Sequence, residues 1–198
     1  MFTDTTIKFR LVFVLSILSM LMIGIGAMGL YGFNHSNDGL KTVYEDRTVP
    51  AVQMGKILDI WYQVRRNALE AVLSKNADIA KTRVDDAHKL IKEAEGIWAQ
   101  YMATKLTPEE AVLAKNKSEM HAQYVQAMNT TCKFAIAGDF DSAATNASTD
   151  AAPKFNALRD SVFAILELQD NVAAHEYAES QKSFETIFMT SMIICKNF

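Results

Sequence analysis

From Leu11 to Phe33 the chain runs for 23 residues without a single charge. A helix needs roughly 20 apolar residues to cross a bilayer, and this run meets that length. Inside it lies "GIGAMG", Gly24 to Gly29, which spells the G-x-G-x-x-G of a dinucleotide-binding turn. That turn works between a strand and a helix N-terminus, with an acidic residue about 20 positions further on. Here apolar residues flank the glycines on both sides, so the spelling belongs to a membrane helix, where glycine lets neighbouring helices approach. The apolar core also exceeds the roughly 7–15 residues of a secretory leader, and no clear A-x-A site follows. Lys8 and Arg10 precede the span, whereas "NHSNDG" just after it carries no Lys or Arg. The positive-inside rule therefore predicts residues 1–10 in the cytoplasm, a transmembrane helix over 11–33 and the bulk of the chain outside.

Beyond the span the pattern is helical almost throughout. Met54, Ile57, Trp61, Val64, Ala68 and Ala71 alternate steps of three and four, which is a coiled-coil-like seam. Val49-Pro50 should disturb this helix where it begins. Asn76 and Asp78 in "SKNAD" are candidate caps for a second helix with the seam Ala80, Val84, Ala87, Ile91, Ala94, Trp98 and Tyr101. In "TKLTPEE", Thr107 reads as an N-cap, Pro108 as the first helical residue and Glu110 as the far half of a capping box. The third helix then carries Leu113, Met120, Tyr124, Ala127, Thr131 and Phe134. It should stop at Gly138, with Asp139 or Asp141 capping the next. The last helix shows Phe155, Leu158, Val162, Ile165, Val172 and, further on, Phe184 and Ile187, with Pro153 weakening its first turns.

Short connections between long helices imply antiparallel neighbours. The expected fold is all-α: a membrane-anchored antiparallel four-helix bundle, up-down-up-down, over residues 34–186. The last helix then returns to the membrane, where "IFMTSMIIC" opens like a second span over 187–198 and ends before it could cross. The net charge of -3 gives no electrostatic footprint for nucleic acid. The two cysteines, Cys132 and Cys195, form no C-x-x-C.

The short basic N-terminus, the span, "YEDRTVPAVQMGKILDIWYQVRRNALEAVL", the "AIAGDFDSA" turn and the start of a second span together resemble the N-terminal half of bacterial methyl-accepting chemotaxis receptors. The resemblance covers nearly the whole chain, and "YEDRTVPA" to "RRNALE" is its most specific piece. It implies an extracytoplasmic ligand-sensing bundle in the bacterial inner membrane, working as a homodimer and signalling by displacement of the last helix. The implied partner is a small anionic molecule or a periplasmic binding protein, with no cofactor and no enzymatic activity. The same module occurs on histidine kinases and cyclases, so a sensor is implied more firmly than an output. A HAMP linker and a cytoplasmic coiled coil would complete such a receptor; the expectation is a sensor truncated at its second span. The alternative is an anchored bundle that pairs with other receptors and has no ligand of its own.

Arg65 is the leading site candidate. It interrupts a second, apolar stripe on the first bundle helix: Ala51, Gly55, Leu58, Tyr62, Arg65, Leu69, Val72. A guanidinium there is costly unless it is paired or lies at a seam edge. In the resembling receptors, arginines on this helix reach across the dimer interface to an anionic ligand, a role suited to bidentate carboxylate bonding. The competing reading is an arginine that snorkels or pairs within the fold. Arg66, one step round, is the second candidate. Gln169 interrupts the last helix's stripe and is placed either in a membrane-distal pocket or as a buried register-setting residue. Trp61, Tyr62, Trp98 and Tyr101 are expected in the core. A single Asp85-x-x-His88 falls short of a di-iron set, so no metal site is expected.

Overall fold

The computed structural model describes residues 7–104 and 106–196, without the side chains of residues 46 and 194–196. Its elements are α1 (Ile7–Thr42), a π-helical turn (Val43–Thr48), α2 (Val49–Leu73), α3 (Ala77–Met102), α4 (Pro108–Ile136), the short α5 (Phe140–Asn146), a second π-helical turn (Ala147–Ala151) and α6 (Ala152–Lys196). Among the described residues there is no strand. Residues 1–6, 197 and 198, which belong to the expected cytoplasmic tail and the expected second span, lie outside the description, as does position 105 in the "TKLTPEE" break.

The chain divides into two units. In one, α1 and the part of α6 from Ala173 onward lie side by side, with Gly32 against Ile187. No residue of α1 is fully buried, and most of its apolar side chains are exposed. The other unit, Glu45–Val172, is the bundle. Antiparallel packing of α3 and α4 follows from their contacts: His88 meets Asn129, Glu95 meets His121 and Lys117 meets Trp98, so numbers rise on one helix as they fall on the other. The same holds for α4 against α6, through Tyr124 with Phe155 and Glu110 with Gln169. Diagonally, α2 and α4 run parallel: Arg47 meets Glu110, and Trp61 meets both His121 and Tyr124. This is the up-down-up-down bundle.

The breaks have local causes. Asn76 accepts hydrogen bonds from the backbone N–H groups of Asp78 and Ile79, starting α3. Thr107 and Glu110 form a complete capping box, and Pro108 sits where its missing N–H costs nothing. Gly138 takes φ +80, the left-handed conformation that ends α4, and Asp139 caps α5 by accepting from Ser142. Pro50 and Pro153 do not break their helices. Each has no N–H to donate and crowds the carbonyl four residues back. In both cases the preceding turn widens to π geometry, at Val43–Thr48 and Ala147–Ala151. Such π turns absorb a local misfit without ending the helix.

The expected seams of α2 and α3 are buried, except that Trp98 is only partly so. On α4 the expected Tyr124, Ala127 and Thr131 are buried, but the other three expected positions are not. Leu113, Met120 and Phe134 flank the core, while Glu110, Ala114, Lys117, Tyr124, Ala127, Met128, Thr131, Cys132 and Ala135 occupy it. Tyr62 is a correction: it is 44% exposed, because it lies on the outer stripe of α2.

Candidate functional site

Arg65 is half-buried on α2, with its guanidinium 4.6 Å from the centre of the Phe155 ring of α6. Among the described residues no carboxylate lies within 4.0 Å of it. The cation is held against an aromatic face, which stabilises it by about 0.5–2 kcal/mol. Phe155 is itself the centre of an aromatic set. Tyr62 packs edge-on at 5.2 Å and Tyr124 at 5.4 Å; Trp61 lies 5.7 Å from Tyr124 and 5.0 Å from His121. The Tyr124 phenol is pushed well above its ordinary pKa by burial, with the charge of Arg65 opposing the shift. Arg66 is exposed and pairs with Glu70 at 3.7 Å; Glu70 also takes Arg83 of α3 at 3.0 Å. That trio joins two helices at the surface, where such pairs contribute little.

Gln169 lies elsewhere. Its amide donates to Glu110 Oε1 at 2.5 Å, while Glu110 Oε2 accepts from the Thr107 backbone N–H at 2.6 Å. Arg47 approaches Glu110 Oε1 at 3.5 Å. Tyr101 is fully buried in the same group, and its pKa is pushed up to about 12, first by burial and then by the negative charge of Glu110. One carboxylate thus joins the π-helical turn before α2, the α3–α4 turn and α6. This cluster sits at the bundle end where the chain enters and leaves, opposite the α2–α3 and α4–α5 turns. Gln169 follows Phe155 by fourteen residues on one helix, or about 21 Å at 1.5 Å per residue. The structure therefore does not bring Gln169 to Arg65.

Comparison with known families matches residues 4–184 to the four helix bundle sensory module for signal transduction. The chain belongs to this family. It is a sensory signal-transduction module of the kind found in methyl-accepting chemotaxis receptors. Curated proteins give no match. The family is membrane-associated, and among the described residues one helix, beginning at Ile7, is long and apolar enough to cross a membrane.

The sensory module also buries a group that the sequence reading passed over. Lys117 of α4 is 2% exposed, its ammonium 3.8 Å from the centre of the Trp98 ring. One turn further along α4, His121 Nε2 is buried without a hydrogen-bond partner, 4.0 Å from Glu95 of α3. Burial lowers the Lys117 pKa to about 7, with Glu95 opposing; burial and then the charge of Lys117 lower that of His121 to about 4. The signal was in the numbering: Glu110, Lys117, Tyr124 and Thr131 recur every seven residues, the period of a core seam. Cys132, a free buried thiol, is pushed up to about 11 by burial.

Proposed function

We propose that this chain is the extracytoplasmic ligand-sensing part of a chemotaxis-type transmembrane receptor. In this reading residues 1–10 are cytoplasmic, 11–33 span the bacterial inner membrane, 34–186 form the sensor and 187–198 begin a second span. Two copies pair along the exposed stripe that holds Tyr62 and Leu69, with Arg65 at its edge. A small anionic ligand takes the guanidinium of Arg65, whose present partner is a ring rather than a carboxylate. The observation that carries the proposal is that Phe155, beneath Arg65, and Gln169, bound to Glu110, lie on the single helix α6. A ligand that draws Arg65 away from Phe155 acts on α6, and motion of α6 along its axis strains the Gln169–Glu110 bond. The ligand can bias that motion only by its differential affinity for the two arrangements.

A thermal-shift screen of small carboxylates and phosphates on the full chain in detergent tests the reading, because a ligand of the folded state raises the melting temperature. Arg65→Ala should remove the ligand-induced shift. The loss of a charge-assisted hydrogen bond of about 1.5–3 kcal/mol corresponds to roughly ten- to over a hundredfold in affinity. Without ligand the variant should lose only about 0.5–1 kcal/mol, the exposed-site value of the cation–π contact. An anion that binds Arg65→Ala as tightly as the wild type would remove Arg65 from the site.

A further inference from the structure

The α3–α4 seam holds two basic side chains on adjacent turns of α4, Lys117 and His121, and one carboxylate facing them, Glu95 of α3. That carboxylate does not fully compensate a buried ammonium, since its side chain is 54% exposed and its charge is shared with water. Among the described residues Lys117 makes no ion pair; it lies against the Trp98 ring. His121 rests on the Trp61 ring of α2 at 5.0 Å, with Nε2 unpartnered. The charges that act on the pair are Glu95 of α3 on Lys117 and, within α4, Lys117 on His121. From α2 the neighbour is the uncharged Trp61, and none of the charges acting on the pair comes from α6. An ammonium in such a place loses its hydration without gaining a full counter-charge.

We propose that Lys117, packed on Trp98 with His121 one turn away and Glu95 facing them from α3, is a proton-binding switch that makes the packing of the α3–α4 seam depend on pH. The amine is neutral and packs as an apolar stem on the alkaline side. On the acid side it carries a charge that the seam compensates only through one ring and one water-exposed carboxylate. Burial lowers the pKa of this amine from 10.5 to about 7, which moves its proton release from the alkaline range to neutrality. The sign follows from linkage. Between pH 7 and 10.5 the unfolded chain carries the proton and the folded one does not, so stability rises with pH through that window and is flat, from this group, below it. His121 adds a second rise between pH 4 and 6.5 by the same argument.

The fluorescence of the full chain in detergent, followed from pH 5.5 to 9.5, reads the switch directly, because the titrating amine lies on Trp98. Trp61→Phe leaves Trp98 as the sole indole, the chain having two tryptophans. Emission should change with a midpoint near 7, and Lys117→Met should abolish the change. Urea unfolding at pH 7 and pH 9.5 should show the wild type gaining stability across the interval and Lys117→Met gaining much less. Glu95→Gln is the second variant. It keeps the lysine and removes the charge that favours protonation, so the midpoint should fall. Emission that stays flat through neutrality, a titration that survives Lys117→Met, or a midpoint unmoved in Glu95→Gln would each overturn the proposal.

Discussion

Replacing Glu110 with alanine removes the one carboxylate that serves three segments. Three interactions go with it: the Gln169 amide at 2.5 Å, the Thr107 N–H at 2.6 Å and the Arg47 guanidinium at 3.5 Å. Glu110 is 4% exposed and Gln169 1%, so little water can replace what is lost. Hydrogen bonds to a charged group contribute about 1.5–3 kcal/mol each, and a helix cap about 1. Breaking a buried pair from one side costs about 3–5 kcal/mol, because the remaining partner stays buried. We therefore expect Glu110→Ala to lose about 3–5 kcal/mol. With a urea m-value of about 1–3 kcal/mol/M, that shifts the midpoint by one molar or more. Glu110→Gln keeps the shape and one acceptor and should fall between the two. The decisive assay is a double-mutant cycle with Gln169→Leu, followed by circular dichroism during urea unfolding. Contacting residues couple by about 0.5–3 kcal/mol, whereas independent ones add within about 0.3–0.5. Additivity of the two substitutions, or a loss below about 1 kcal/mol for Glu110→Ala, would refute the claim that this carboxylate ties α6 to the rest of the bundle.

Two further outcomes are expected. Asn76→Ala removes both side-chain bonds at the start of α3 and should cost about 0.5–2 kcal/mol, measured by urea unfolding; Asn76→Gly, which keeps the conformation open, should cost only a few tenths. The stability of the wild type should turn over in the alkaline range: Cys132 and Tyr101 keep their protons in the folded state up to about 11 and 12, against 9 and 10 when unfolded, so each loses its contribution as pH rises through that interval. Melting temperatures in a buffer series from pH 8 to 11 should therefore pass through a maximum, and in Cys132→Ala the decline should begin about one unit later.

The parts of the fold legible in the sequence are those that local chemistry decides. Thr107, Pro108 and Glu110 specify a helix start whatever surrounds them, and Gly138 can take φ +80 where other residues pay for it. The α2 seam was legible because it is uniformly apolar. The α4 seam was legible only in part: Tyr124, Ala127 and Thr131 are where they were expected, but a reading that follows apolar residues chooses Leu113 and Met120 over Lys117. Lysine is normally assigned to solvent, and its burial here depends on Trp98 being presented by another helix, which no local pattern encodes. Gln169 was legible as a buried polar residue; its level in the bundle was not. That depends on the partner, Glu110, which had been read only as a cap. The prolines were legible as disturbances, but whether a helix breaks or widens by one residue depends on the packing that holds its two halves in line.

The polar residues of α4 also answer a problem that a four-helix bundle poses. A seam made only of apolar residues repeats every seven positions, so α6 could slide along α4 by a heptad and still bury its stripe. Here the repeating positions are each different and each matched. Glu110 meets Gln169, Lys117 meets Trp98, Tyr124 meets Phe155 and Thr131 donates to Asn146 Oδ1 at 2.9 Å. A heptad slip of α6 would set an amide against the lysine and leave Glu110 without its partner, two buried polar mismatches at once. The register is therefore fixed against large slips by pairs of unlike chemistry.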